Sequence, residues 1–103
     1  LTVSLLAQGR LRVLNGTRAG LEVDVVDAAT LGSYDGCTLY LPGDKAIARK
    51  HARVHRQEGR FYVTDLDAPG GTWVNGAKLL PGASAPLAKG GKIQLGAIVV
   101  ELL

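Results

Sequence analysis

Short apolar runs separated by glycine or polar turns recur along the whole chain: RLRVLN, LEVDVV, ATLG, CTLYL, HARVHR, RFYVTDL, TWVNG, KIQLG and AIVVELL. Within them Leu21, Val23 and Val25 share one face, and Glu22 and Asp24 take the other. That period of two is the mark of a half-buried strand. Glu58-Gly59 and Asn75-Gly76 predict tight hairpin turns, because glycine accepts the positive φ that such turns require. The 14 glycines and 4 prolines fall between the runs and leave no helical stripe of useful length. Frequent short strands with turn signals predict an all-β sandwich or barrel. No internal repeat, linker tract or low-complexity segment interrupts the spacing, so residues 1–103 read as one domain, with 1–10 as an N-terminal extension.

Composition changes this picture little. At 47% apolar and 20% charged residues the chain has the profile of a folded globular domain, and 103 residues suffice for one core. Charge is more informative. Net charge is +3, yet six of the twelve basic residues (Lys45, Arg49, Lys50, Arg53, Arg56 and Arg60) lie in one sixteen-residue stretch. With aromatics at only 5%, this stretch lacks the stacking partners that nucleic acid calls for, and a nucleic-acid partner is not expected. Cys37 is the sole cysteine, which excludes an internal disulfide and a cysteine-based zinc site; at the head of CTLYL it is expected to be a buried, inert thiol. No apolar stretch approaches the length of a membrane-spanning helix, so no direct membrane insertion is expected. Position 1 is not methionine, which suggests a processed chain or a fragment, soluble and working in an intracellular or organellar setting.

Candidate chemistry is sparse. Ser33, Asp65 and either His51 or His55 would supply the residue types of a hydrolytic triad, but no nucleophile elbow surrounds the serine. Gly70-Gly71 and Gly90-Gly91 neither open a helix nor carry a phosphate-binding lysine, so they read as turns. No catalytic residue, cofactor or metal site is expected. Trp73 lies in a strand-like run and is expected to pack in the core.

The order of several small motifs is more specific than any one of them. They are Leu31-Gly32-Ser33, then Ala48-Arg49-Lys50-His51-Ala52, then Asp65-Leu66-Asp67-Ala68-Pro69-Gly70-Gly71-Thr72, then Asn75-Gly76, and last Gly90-Gly91-Lys92-Ile93-Gln94-Leu95-Gly96. From Leu11 to Leu103 this series resembles the forkhead-associated (FHA) domain family. The resemblance implies an eleven-strand sandwich of two sheets whose loops at one end read a partner. Phosphothreonine-reading members place arginine after the third-strand glycine, serine before the Arg-x-His, and a polar residue plus asparagine before the Gly-Thr. Here those positions hold Ser33, Ala48, Pro69 and Gly70. A dianionic phosphate wants the planar donor fork of arginine, and none of the four replaces it.

The resemblance therefore implies a kept scaffold around a degenerate phosphothreonine pocket. Gly32, His51, Gly71, Thr72 and Gly76 are expected to be structural, with His51 beneath the recognition loop and bonded to backbone. Ser33, Arg49, Lys50, Gly70 and Asn75 are the candidate partner-binding residues, although Asn75-Gly76 also belongs to the retained architecture. The expected function is a non-catalytic protein-interaction or scaffolding module, independent of phosphate, serving as an accessory subunit of a larger complex. One alternative is a phosphopeptide reader with a basic pocket relocated to Arg49, Lys50 and Arg53, whose partner would present an acidic or phosphorylated segment. Another is the cytoplasmic FHA-like domain of a type III secretion inner-ring protein, a group that also carries Gly-Ser at Gly32-Ser33.

Overall fold

The computed structural model describes residues 9–103. They form eleven strands: β1 (Gly9–Val13), β2 (Glu22–Val25), β3 (Ala28–Gly32), β4 (Leu39–Tyr40), β5 (Ala52–Gln57), β6 (Arg60–Asp65), β7 (Thr72–Val74), β8 (Ala77–Lys78), β9 (Ser84–Leu87), β10 (Lys92–Leu95) and β11 (Ile98–Leu102). One sheet has the order β2-β1-β11-β10-β7-β8 and the other β4-β3-β5-β6-β9. All pairings are antiparallel except β3 with β4. The all-β two-sheet sandwich is thus the architecture the sequence implied, with β8 and β9 added to the runs visible in it. β9 escaped notice because Pro86 interrupts it; at a sheet edge proline is tolerated, since its missing N–H faces away from the ladder.

Alternation places the core between the sheets. Leu11, Val13, Ile93, Leu95, Val100 and Leu102 from one sheet meet Leu31, Leu39, Val54, Phe61 and Val63 from the other, and all are buried. Both turn dipeptides behave as their chemistry demands. Glu58 and Gly59 (φ 52° and 78°) join β5 to β6, and Asn75 and Gly76 (φ 50° and 85°) join β7 to β8. Two consecutive positive φ values match the right-handed twist of the flanking strands.

Three expectations need correction. Gly9 and Arg10 belong to β1 and not to an extension; residues 1–8 lie outside the described residues. Trp73 is only half-buried, because Thr72 and Val74 take the inward positions of β7 and period two turns the indole outward, where Lys78 Nζ sits 5.4 Å from the ring centroid. Cys37 is also only half-buried and lies in the loop before β4. No helix among the described residues is long and apolar enough to cross a membrane.

Candidate functional site

Three loops converge at one end of the sandwich: Ser33–Thr38 between β3 and β4, Leu41–His51 between β4 and β5, and Leu66–Gly71 between β6 and β7. Their joint is His51, which is fully buried. The Ala48 N–H donates to His51 Nδ1 (3.0 Å), and His51 Nε2 stands 2.7 Å from the Gly71 carbonyl oxygen. An amide can only donate and a carbonyl can only accept, so the ring is the neutral Nε2–H tautomer. The backbone of the same residue continues the tie: its N–H donates to Leu31 O (2.8 Å) and its C=O accepts from Leu66 N (3.1 Å). One residue therefore ties the end of β3 to the β4–β5 and β6–β7 loops.

Gly32 explains how closely these loops approach. Ser33 N donates to Ala48 O (3.0 Å) and Tyr34 N to Arg49 O (3.2 Å), pressing the β4–β5 loop flat against the end of β3. A Cβ on Gly32 would collide with the Arg49 carbonyl oxygen and lie 2.9 Å from that of Ala48. Glycine is required here by space, not by a left-handed backbone.

Asp65 and Thr72 close the β6–β7 loop. The Thr72 hydroxyl donates to Asp65 Oδ1 (2.7 Å), while Asp65 Oδ2 accepts from Asp67 N (3.1 Å) and Gly82 N (3.4 Å). Both side chains are buried. Asp65 spends its acceptors on structure and makes no bond to either histidine, so the residue types of a triad are present without its geometry. His55 stands apart on β5, stacked on Tyr62.

At the loop positions Ser33, Ala48 and Gly70 the side chains are short or absent. Ser33 occupies the position after the β3 glycine, and Ala48 offers only its backbone. Gly70 has no side chain, and a Cβ there would collide with the Ala46 carbonyl oxygen. The β4–β5 loop has thus closed over the place a longer residue would occupy. Asp44 holds it there: Oδ1 accepts from Ala46 N and Oδ2 from Ala97 N, both at 2.9 Å. These bonds, that from Ala97 foremost, keep the Asp44 carboxyl below its usual range. Sequence reasoning passed over Asp44 and Ala46, although Asp two residues before a loop amide is a recognisable Asx turn.

Arg49 and Lys50 are exposed. The Arg49 guanidinium lies 4.6 Å from the Tyr34 ring centroid and has no carboxylate partner among the described residues. Tyr34 was not singled out from sequence; its fold over Arg49 depends on the tight Tyr34–Cys37 turn, closed by Cys37 N donating to Tyr34 O (3.0 Å). The Cys37 thiol donates to Arg49 O (3.1 Å), and burial pushes its pKa up. Asn75, a candidate contact, spends its side-chain oxygen on Lys92 N (2.8 Å) and so ties the β7–β8 turn to the start of β10. The structure brings Ser33, Arg49 and Gly70 together at one end, with Gly71 among them, and sets Asn75 on the β7–β8 turn.

A two-sheet sandwich whose loops are held by a buried histidine at one end is a scaffold for protein recognition. The FHA domain family matches residues 29–96, and the chain belongs to that family. FHA domains are interaction modules that bind protein partners. The chain is 33% identical over 94 residues to the FHA domain-containing protein FhaB of Mycolicibacterium smegmatis, covering 90% of this chain and 59% of that protein. The chain therefore spans less than two thirds of that relative. Among solved structures, an FHA domain of Arabidopsis thaliana superposes with a TM-score of 0.83 at 26% identity, covering 95% of this chain and 86% of the other. The N-terminal FHA domain of Rad53p from S. cerevisiae, solved with a phosphothreonine peptide, gives 0.80 at 19% identity, covering 92% and 91%; at that identity the likeness shows the fold alone.

Proposed function

We propose that this FHA domain docks a protein partner without depending on phosphothreonine, as a fixed accessory part of a larger assembly. One observation supports this most directly. The Ala46 carbonyl packs where a side chain at position 70 would extend, next to loops that offer Ser33 and Ala48 in place of an arginine fork and its hydroxyl neighbour. Phosphate affinity rests on charge-assisted donors in fixed geometry, and their loss removes most of the attraction. Calorimetry with a threonine peptide and its phosphorylated twin tests the reading: equal, weak heats are expected, and micromolar binding that requires the phosphate overturns it.

A second reading has its own support in Arg49, a cation aligned on Tyr34 with no internal carboxylate. On this reading the loops take an acidic or phosphorylated segment through Arg49 and Lys50. Arg53, which the relocated-pocket idea groups with them, points instead from the outer face of β5. A phosphate preference that disappears in Arg49→Glu/Lys50→Glu, with folding intact, would favour this reading over the first.

A further inference from the structure

Charge is distributed unequally between the two outer faces of the sandwich. On the six-stranded sheet three of the four strand cations are neutralised across strands: Arg10 with Glu22 (3.3 Å) and Asp24 (3.0 Å), Arg12 with Glu22 (2.9 Å), and Lys92 with Glu101 (4.0 Å). On the five-stranded sheet the only strand carboxylate is Asp65, which is buried and points into the core. Glu58 and Asp27 stand beyond the strand ends, in the β5–β6 turn and before β3.

Register defines what this second face displays. One row across the strands is Ala28, His55, Tyr62 and Pro86; the next is Thr30, Arg53, Thr64 and Ser84; Gln57 and Arg60 follow at the hairpin end. Arg53 and Arg60 are exposed, with no ion-pair partner among the described residues. Thr64 and Ser84 share a hydroxyl bond of 2.6 Å. His55 stacks on Tyr62 with centroids 5.7 Å apart, and its Nδ1 is shielded from solvent without a hydrogen-bond partner. A cationic, hydroxyl-bearing and partly aromatic surface with no carboxylate contrasts with the opposite sheet, where three of the four strand cations are ion-paired and the fourth, Lys78, lies over the Trp73 ring.

We infer that the outer face of the five-stranded sheet, centred on Arg53, His55, Tyr62 and Thr64, is a second docking surface that takes an acidic polypeptide segment lying across the strands. It is separate from the recognition-end loops and does not rest on their being independent of phosphate. Charge complementarity names the partner: unpaired guanidiniums seek carboxylates and gain specificity by planar donor geometry. Size narrows it further. Four strands about 4.8 Å apart and about four residues of strand length give a face of roughly 200–300 Å². A stable protein–protein interface buries about 800 Å² per partner, so the face suits an extended segment and not a second folded copy. Nucleic acid fits less well, because two guanidiniums make a short phosphate track and the Tyr62 ring is already covered by His55.

The test is a titration of isotope-labelled protein with a polyglutamate peptide of about eight residues, followed by NMR. The ring signals of His55 and Tyr62 and the amides of Arg53 and Thr64 should shift together, and the shifts should fade as salt rises from about 50 to about 500 mM. Arg53→Glu/Arg60→Glu should weaken binding at least tenfold, while Arg49→Glu/Lys50→Glu leaves it within twofold. The wild-type map decides even if a variant is unstable. Absence of binding, shifts confined to the loops of the recognition end, or equal losses in both double variants would overturn the inference. So would oligothymidylate of equal length binding the same face more tightly than polyglutamate. None of these results bears on the phosphothreonine calorimetry, so the two ideas stand or fall separately.

Discussion

His51→Ala is the sharpest probe of how the recognition end is held together. The imidazole is fully buried and carries two bonds to backbone groups from different loops, at 3.0 and 2.7 Å. Removing it leaves the carbonyl of buried Gly71 without a donor, and an unsatisfied buried polar group costs about 1–3 kcal/mol. Ala48 is half-buried, so water can reach its N–H, and that loss adds at most about 1 kcal/mol. The emptied ring volume contributes about 1–2 kcal/mol more, as large-to-small changes in packed interiors do. The sum is about 2–6 kcal/mol, a large part of the stability of a domain this size. At about 4–8 °C per kcal/mol, thermal unfolding followed by circular dichroism should shift down by at least about 8 °C. His51→Gln, whose amide can still donate toward Gly71 O, should lose clearly less. A fall below about 5 °C for His51→Ala would show that the loops are held by something else, and the reasoning would fail.

Two further outcomes follow from the same geometry. Gly70→Asn should lower stability by about 1–3 kcal/mol, because the new Cβ meets the Ala46 carbonyl and the loop must move; unchanged denaturant midpoints would mean that the pocket is not closed as described. Acid should weaken the fold in two stages. His55 titrates below its usual pH, through burial first and the Arg53 charge second, so the unfolded chain takes up its proton before the folded one and stability falls as pH drops below about 6.5. The carboxyls of Asp44, held low by the Ala97 and Ala46 amides, and of Glu22, held low first by Arg12, add a second loss as pH falls below about 4.5. Melting temperatures measured from pH 8 to 3 should show both, with His55→Gln removing the first; a flat profile between pH 7.5 and 5.5 would refute it.

Much of the scaffold was legible because its signals are local. Alternation in LEVDVV, the dipeptides Glu58-Gly59 and Asn75-Gly76, and the spacing of Gly32, His51 and Gly71-Thr72 each act within a few residues or at fixed separations. What escaped depends on contacts that no short window contains. Whether Trp73 faces in or out is decided by the inward demand of Thr72 and Val74, one of which is polar and looks like an outward residue until Asp65 is seen beneath it. The closing of the site at Gly70 depends on Ala46, 24 positions earlier (70 − 46), and on Asp44 reaching Ala97. Cross-strand neutralisation on one sheet and its absence on the other can be read only after register is known.

The pairing of β1 with β11 has a consequence for how the chain acquires its shape. Leu11 lies opposite Leu102, and both strands are interior to their sheet. During synthesis β1 and β2 emerge first, yet their inner edge must wait until nearly all the described chain has been made. The sheet is thus completed in the middle and last, after a loop closure that is entropically among the costliest the chain offers. Until then the apolar side of β1 and the exposed ladder of its backbone stay open to whatever else is near, so the nascent domain passes through a long window of vulnerability to mispairing that its finished form does not reveal.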